Sequence, residues 1–220
     1  MMQSTAMSSS RTPHFASPDA AARSPQTRLP AADRRALILA AAARLLWERG
    51  EAGATMREIG QESGVLMSTL YYYYRSKDHL IRAVHEAGVQ RIRERVELAC
   101  ARQTDPWARV TAAAVAHLEA ILDPDPFFRV VQMPLPRIST ELRKTVIVLR
   151  DSYEDIQRRL VAELPLGSGV DRSLFRLGLM GMLNAVPNWY RPGGPATPAD
   201  IATGFVELLR RGSEQAPGGR

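Results

Sequence analysis

Apolar residues recur at helical spacing along most of the chain, and no segment carries the turn and alternation pattern of a β-hairpin. The first predicted helix starts near Asp33 and ends at Gly50, with apolar positions at Leu37, Ile38, Ala41, Ala42, Leu45 and Leu46. A long helix is expected after Ser76, with its own apolar stripe of Leu80, Val84 and Ile92. The pattern therefore predicts an all-α protein.

Two short helices are predicted between these long ones. The segment Thr55-Met56-Arg57-Glu58 has the form of a capping box, in which the threonine and glutamate side chains bind each other's backbone N–H groups. The helix that it opens reaches about Glu62, Ser63-Gly64 makes a turn, and a second helix runs from Leu66 to Tyr74. Two helices joined by so short a turn have the dimensions of a helix-turn-helix, whose second helix lies in the major groove of DNA.

The remainder of the chain predicts four more helical stretches. A capping residue or a capping residue followed by proline marks three of the starts, at Asp105-Pro106, Asp171 and Thr197-Pro198. Closely spaced prolines between residues 124 and 136 bracket a short broken segment. The stretches are expected from Asp105 past Ile121, from Thr140 to Leu164, from Asp171 to Tyr190 with Pro187 kinking or ending it, and from Ile201 to Arg211 with Gly212 closing it.

Charge and composition change this picture little. The chain has 29 lysines and arginines against 23 aspartates and glutamates, which gives a net charge of +6. A basic surplus suits a polyanionic partner, but one of this size does not by itself indicate nucleic acid. The prediction of DNA binding therefore depends on the helix pattern.

The chain divides into four predicted parts. Residues 1–30 and 213–220 are expected to be disordered tails, and the first is rich in Ser, Ala, Pro and Thr. Residues 31–78 form the helix-turn-helix domain and residues 79–212 a second helical domain. No run approaches the roughly 18 apolar residues that would span a bilayer, and the N-terminus lacks an apolar signal core. We therefore expect a cytoplasmic protein with no membrane partner.

No grouping of catalytic or metal-binding residues is visible in the sequence. His14, His79, His85 and His117 form none of the paired motifs that bind zinc, and Cys100, the single cysteine, is expected to be buried. The chain also lacks the glycine-rich loop that binds nucleotide phosphates. We therefore expect no enzyme activity, no metal and no cofactor.

Four segments in the first 85 residues, taken in order, carry a family resemblance. Arg35-Ala-Leu-Ile-Leu-Ala-Ala-Ala, Thr55-Met-Arg-Glu-Ile, Gly64-Val65 and Thr69-Leu-Tyr-Tyr-Tyr-Tyr-Arg-Ser-Lys77 look like the N-terminal domain of the TetR family of bacterial repressors. That family usually has serine where Leu66 stands and phenylalanine where Tyr74 stands, and a leucine side chain cannot cap a helix. The resemblance implies DNA contacts by Thr55, Arg57, Met67, Ser68, Thr69, Tyr71, Tyr72, Tyr73 and Lys77.

The four consecutive tyrosines are expected to differ in their roles. Leu70 and Tyr74 are four residues apart and are predicted to face the core. Tyr71 and Tyr72 are predicted to contact phosphates, because so short a helix cannot bury all of its faces. Tyr73 could do either. Base reading is then assigned to Met67, Ser68 and Thr69, with Arg57 nearby.

Specific binding by such a unit usually requires two copies spaced one helical turn of DNA apart. The resemblance implies a palindromic DNA operator and a homodimer held by the last two long helices, at about 171–190 and 198–211. The residues predicted at the dimer interface are Leu174, Leu177, Gly178, Gly181, Ile201, Phe205 and Leu208.

The C-terminal part also resembles TetR-type repressors of fatty-acid and steroid-ring catabolism, through Asn184, Trp189-Tyr-Arg-Pro and Asp200-Ile-Ala. The resemblance implies a small-molecule effector, an acyl-CoA-type thioester, that releases DNA after entering an apolar tunnel. The predicted ligand-binding residues are Phe128, Met133, Tyr153, Arg176, Met180, Asn184 and Trp189. Two alternatives stay open: a member of the same family that senses drugs or other lipophilic compounds, and an all-α CoA-binding protein with no DNA role.

Overall fold

The computed structural model describes residues 30–134 and 139–214, and these residues form helices and no strand. A 3₁₀ turn, Val186–Asn188, follows the eighth helix. The helices are α1 (Ala31–Gly53), α2 (Met56–Ser63), α3 (Met67–Tyr73), α4 (Lys77–Ala101), α5 (Pro106–Leu122), α6 (Pro126–Gln132), α7 (Thr140–Ala162), α8 (Arg172–Ala185) and α9 (Pro198–Glu214). The all-α prediction is confirmed, whereas residues 1–29 and 215–220 of the predicted tails lie outside the described residues. Within the described ranges, no helix is both long and apolar enough to cross a membrane.

Short polar side chains start most of the helices at the predicted positions. The Ser76 hydroxyl accepts a hydrogen bond from the His79 backbone N–H at 3.1 Å, and Asp105 accepts one from Ala108 at 2.8 Å. Thr197, the predicted capping residue of α9, forms a capping box with Asp200. Each cap satisfies backbone donors that the first turn leaves free and stabilises its helix by about 1 kcal/mol.

Two predicted helix ends differ in outcome. Gly50 interrupts α1, because its φ of 70° is left-handed and a glycine adopts that conformation without strain. Gly212 does not close α9, which continues to Glu214, so this prediction was wrong. The last turn is held by Arg210, which pairs with both Glu207 and Glu214, so the helix needs no glycine to end it.

Two apolar cores lie on either side of a shared junction. The first core joins α1, α2, α3 and the start of α7 to the start of α4, and the second joins the rest of α4 to α5, the rest of α7, α8 and α9. Helix α6 contributes to both, because Phe127 and Val130 lie in the first core and Phe128 in the second. Helix α7 does the same, with Val146 in the first core and Tyr153 in the second, so α4, α6 and α7 connect the helix-turn-helix to the C-terminal domain.

Gly88 sets how closely these two shared helices approach. A Cβ atom at this position would lie 2.6 Å from the Phe127 carbonyl oxygen and 2.5 Å from a Val131 methyl group. Only glycine leaves room for this contact, so the sequence of α4 determines the seating of α6.

Two arginines of α4 also hold the turn that precedes α6. Arg91 binds the Asp125 carboxylate at 2.9 Å, and its guanidinium lies 3.7 Å from the centre of the Phe127 ring. Arg95 repeats the arrangement one turn later, with Asp123 at 2.9 Å. The combination of an ion pair and a ring contact attaches the α5–α6 turn to α4.

Candidate DNA-binding surface and ligand cavity

Helix α2 begins with the predicted capping box. The Thr55 hydroxyl accepts from the Glu58 backbone N–H and donates to the Glu58 carboxylate at 2.7 Å. These hydrogen bonds from Thr55, together with the nearby Arg49 guanidinium, lower the pKa of the Glu58 carboxyl. Because the hydroxyl proton is directed at Glu58, donation by the Thr55 side chain to a phosphate would replace this one hydrogen bond and leave the two reciprocal bonds of the capping box in place. The Arg57 side chain, by contrast, is exposed on the same helix.

The turn between α2 and α3 is compact because of a left-handed glycine and a serine that bonds back to α2. Gly64 adopts a left-handed φ of 67°, and the Ser63 hydroxyl donates to the Ile59 carbonyl at 2.7 Å. A Cβ on Gly60 would lie 2.7 Å from the Met67 sulfur, so glycine lets the Met67 side chain pack directly on α2. The left-handed residue and this side-chain contact keep α3 close to α2.

Helix α3 has one buried side and one exposed side. Leu70 is fully buried, and so is Tyr74, whose hydroxyl lies 3.2 Å from the Arg35 Nε donor, which confirms the prediction for both. Tyr72 and Tyr71 are 81% and 49% exposed. Met67 and Ser68 are also exposed and Thr69 is half-buried on the same outer side. The outer side therefore exposes hydroxyl groups and a thioether that could contact the bases and phosphates of a DNA groove.

Tyr73 and Lys77 lie beside this surface but already have intramolecular partners. The Tyr73 hydroxyl donates to the Ala31 carbonyl at 3.2 Å and so attaches α3 to the start of α1. The Lys77 ammonium donates to the Glu51 carbonyl at the end of α1. An ammonium has three donors, so Lys77 retains donors for a phosphate, whereas the single Tyr73 proton is occupied.

The start of α3 lacks a side-chain cap. Leu66 occupies the N-cap position without any side-chain hydrogen bond and is 74% exposed. Its backbone carbonyl accepts from the Leu70 N–H at 3.0 Å, which keeps the first turn closed. The departure from the usual serine therefore leaves the helix intact and places an apolar side chain at its front.

A cavity of about 340 Å³ lies in the C-terminal domain between α4, α5, α6, α7 and α8. Its apolar wall comes chiefly from Val89, Ile92, Ile121, Val131 and Met180. Its polar lining comprises His117, Gln132, Arg150, Tyr153, Glu154, Asn184 and Asn188. A volume of this size matches the lower end of small-molecule sites, which combine apolar walls with a few polar groups.

Only part of the predicted ligand set lines this cavity. Tyr153, Met180 and Asn184 do so, and Arg176 lies just behind it, 2.6 Å from the lining Glu154 carboxylate. The structure places the remaining three predicted residues outside the lining: Phe128, Met133 and Trp189.

Each of these three has a physical reason for its position. Phe128 is buried in the second core with the Arg95 guanidinium over its ring. The Met133 side chain packs against the first core. Its backbone carbonyl accepts a hydrogen bond at 2.8 Å from Arg150, which lines the cavity. Trp189 follows the 3₁₀ turn that Pro187 introduces, so it no longer continues the inner face of α8 and is 53% exposed.

His117 is the principal lining residue that the sequence patterns did not identify. Its Nδ1 lies 2.8 Å from the Tyr153 hydroxyl and its Nε2 lies 3.1 Å from Oδ1 of Asn184. Burial lowers its pKa to about 4, so the ring is neutral near pH 7. The available signal was its helical spacing with Val110 and Ile121 on the buried face of α5.

Arg150 is the one arginine that lines the cavity within the described ranges. It donates to the Val131 and Met133 carbonyls at 2.7 and 2.8 Å, at the end of α6. Burial lowers the pKa of its guanidinium. Arg150 thus joins α7 to the end of α6 at the edge of the cavity.

The predicted dimer residues divide between an exposed stripe and half-buried positions. Leu174, Leu177, Gly178 and Gly181 are exposed along α8, and Leu208 is exposed on the adjacent α9. Ile201 and Phe205 are half-buried against the second core. A stripe of leucines and glycines at helical spacing is unusual for a solvent-facing surface. Among the described residues, no three His, Cys, Asp or Glu side chains are placed to hold a metal ion.

Known proteins match the chain over both domains. Residues 38–84 match the family described as bacterial regulatory proteins, tetR family, and residues 103–213 match the tetracyclin repressor-like, C-terminal domain. The HTH-type transcriptional repressor KstR2 of Mycolicibacterium smegmatis is 24% identical over 199 residues, which are 88% of this chain and 97% of that protein. KstR2 is a transcriptional regulator and not an enzyme.

Solved structures share the fold. AibR in complex with isovaleryl coenzyme A and operator DNA has a TM-score of 0.68 at 23% identity, covering 80% of this chain and 97% of that one. FadR from Bacillus subtilis in complex with stearoyl-CoA has a TM-score of 0.69 at 19% identity, covering 84% and 99%. With its helix-turn-helix, its C-terminal helical domain and sequence matches to both, the chain belongs to the TetR family of bacterial transcriptional regulators.

Proposed function

We propose that this protein is a repressor that binds a palindromic operator as a homodimer and releases it when an acyl-CoA-type thioester occupies the cavity. The exposed side of α3 supports the DNA-binding part. Met67, Ser68 and Thr69 are assigned to base edges, and Tyr71 and Tyr72 to phosphates. Arg57 and Lys77 add positive charge on either side of this helix.

The observation that carries the proposal is the double contact of α6. Val131 and Gln132 line the cavity, while Phe127 and Val130 of the same seven-residue helix are buried in the core of the helix-turn-helix. A ligand that prefers a displaced α6 would also displace the first core, and the two reading helices of a dimer would lose their spacing. A ligand that binds both positions of α6 equally would release nothing.

The effector class is supported by the lining of the cavity and by two relatives. The apolar wall suits an acyl group, and the polar groups at the exposed end suit the thioester. AibR has been solved in complex with isovaleryl coenzyme A, and FadR from Bacillus subtilis in complex with stearoyl-CoA. The volume of about 340 Å³ suits the acyl part and not the whole of coenzyme A, so the nucleotide would lie outside the cavity.

The dimer is supported by the stripe on α8 and α9. A Cβ on Gly178, Gly181 or Gly204 would meet nothing within 4 Å, so these glycines are not explained by packing within one chain. Glycine destabilises a helix interior by about 1 kcal/mol relative to alanine. Close approach of the same helices of a second copy would explain their presence.

A gel shift with the full-length protein tests the proposal. The probe is the DNA immediately upstream of its own reading frame, and the competitors are isovaleryl-CoA, stearoyl-CoA, the two free acids and a lipophilic drug. We expect a shift that weakens steeply as salt rises, because phosphate contacts release counterions. Release by the thioesters alone supports the effector class, whereas release by the drug or free acids alone contradicts it. Absence of any shift at low salt contradicts the DNA-binding role.

A further inference from the structure

A hydrogen-bonded series of four side chains runs from the core of the C-terminal domain to the exposed end of the cavity. The Gln157 amide nitrogen lies 3.2 Å from the Tyr153 hydroxyl, which lies 2.8 Å from Nδ1 of His117. Nε2 of His117 lies 3.1 Å from Oδ1 of Asn184. Gln157, Tyr153 and His117 are all buried, so each must use its hydrogen-bonding groups within the protein.

The direction of every hydrogen bond in this series follows from the amide at its buried end, that of Gln157. The Gln157 amide nitrogen can only donate, so the Tyr153 oxygen accepts from it. The Tyr153 proton then has one acceptor among the described residues, Nδ1 of His117. A neutral imidazole that accepts at Nδ1 carries its proton on Nε2, and this proton is donated to Oδ1 of Asn184.

Desolvation keeps this arrangement in one protonation state. Burial lowers the pKa of His117 to about 4 and raises the pKa of Tyr153. The imidazole is therefore neutral and the phenol protonated throughout the neutral pH range, and the tautomer cannot change without breaking a buried hydrogen bond.

The consequence appears at Asn184. Its oxygen is held by His117, so its amide nitrogen is left as a donor, and that nitrogen has no hydrogen bond within the described part of the chain. Asn184, Pro187 and Asn188 form the exposed end of the cavity, while Ile92 and Ile121 form its buried end. The free donor thus lies at the mouth of the cavity. A ligand with an apolar part inside the cavity and a polar part outside it would have its junction at this point.

We infer that the hydrogen-bonded series of Gln157, Tyr153 and His117 orients the Asn184 amide. Its nitrogen then donates a hydrogen bond to the thioester carbonyl oxygen of the effector. The inference rests on the proposed function and adds the atom by which the site distinguishes a thioester from other coenzyme A derivatives. Asn184 is the contact, and Tyr153 and His117 are positioning residues. A ligand without the carbonyl oxygen leaves this donor unsatisfied.

Isothermal titration of the full-length protein with paired ligands tests the inference. One pair is octanoyl-CoA and S-octyl-CoA, and the other is isovaleryl-CoA and S-isopentyl-CoA, in which a methylene replaces the carbonyl. The readout is the ratio of the two affinities within a pair, so any loss of folded protein cancels. A hydrogen bond between neutral groups contributes about 0.5–1.5 kcal/mol, so the wild-type ratio should be about twofold to tenfold in favour of the thioester.

Three variants separate the contact from its surroundings. Asn184→Asp keeps the oxygen that His117 binds but replaces the donor, so its ratio should fall to about one. Tyr153→Phe keeps the ring and removes the proton that orients His117, so its ratio should fall partway. Gln103→Glu is the control, because it adds one negative charge at an exposed position outside the cavity lining and should leave the ratio unchanged.

The outcomes distinguish this inference from the proposed function. A wild-type ratio of one, or an equal loss of the ratio in Gln103→Glu and Asn184→Asp, overturns the inference and leaves the thioester effector in place. A failure of all four compounds to bind overturns both. The expected pattern, with the ratio lost at Asn184 and reduced at Tyr153, supports both.

Discussion

Gly88→Ala tests how strongly the protein depends on the close contact between α4 and α6. The added Cβ would lie 2.6 Å from the Phe127 carbonyl oxygen and 2.5 Å from a Val131 methyl group. The methyl group can rotate away, but the carbonyl belongs to the first turn of α6 and cannot move unless the helix moves. The substitution therefore displaces α6 from α4 or strains both helices.

Two opposing effects set the size of the change. Alanine is favoured over glycine inside a helix by about 1 kcal/mol, and overpacking a filled core costs about 1–3 kcal/mol. Since one of the two clashes is with backbone, we expect the cost to exceed the gain and the protein to lose up to about 2 kcal/mol. For a chain of this size each kcal/mol lowers the melting temperature by roughly 2–4 °C.

Thermal unfolding followed by circular dichroism at a fixed protomer concentration measures this loss. Val131→Ala supplies a control, because it removes one of the two clashes. The double variant should be less destabilised than the sum of the single variants, with a coupling of about 0.5 kcal/mol or more. We also expect Gly88→Ala to weaken operator binding in a gel shift, because α6 reaches the first core. A melting temperature at or above that of the wild type would refute the reasoning.

Three further predictions concern pH, assembly and DNA binding. Burial lowers the pKa of both His85 and His117 from 6.5 to about 4, so between these values the unfolded chain binds protons that the folded chain does not. Stability is therefore full above pH 6.5 and falls toward pH 4, by about 3 kcal/mol or less for each histidine, and a urea midpoint equal at pH 7 and pH 4.5 would contradict this. Leu177→Arg places a charge on the exposed stripe of α8 and should convert a dimer to a folded monomer in sedimentation velocity, so a persistent dimer would direct attention to another surface. Tyr71→Phe should weaken operator binding by about threefold to tenfold without changing assembly or effector affinity, and loss of the dimer instead would disprove its assignment to phosphate.

Features set by neighbours in the chain were predictable. The capping boxes at Thr55 and Thr197 and the burial of Leu70 and Tyr74 each depend on residues three or four positions apart. Spacing of this kind is visible in a sequence because the helix itself brings those residues together. Gly212 shows the limit of the same reasoning, since the ion pairs of Arg210 carry α9 two residues past it.

The lining of the cavity was only partly predictable. Tyr153, Met180 and Asn184, three of the predicted ligand-binding residues, line the cavity, but Phe128 and Met133 pack into cores whose limits a sequence does not show. Trp189 was selected through the family resemblance, and the 3₁₀ turn after α8 carries it outward. His117 was passed over because its partners are 36 and 67 residues away along the chain.

The sequence by itself determined the helices, the helix-turn-helix and the family, because periodicity, caps and turn glycines act over a few residues and survive without knowledge of the packing. Only the tertiary structure decided that α6 serves both cores, that Gly88 sets how closely α6 packs on α4, and that His117 bonds to both Tyr153 and Asn184. These are contacts between elements far apart in the chain. Their formation depends on shape and burial in three dimensions, which no local spacing encodes.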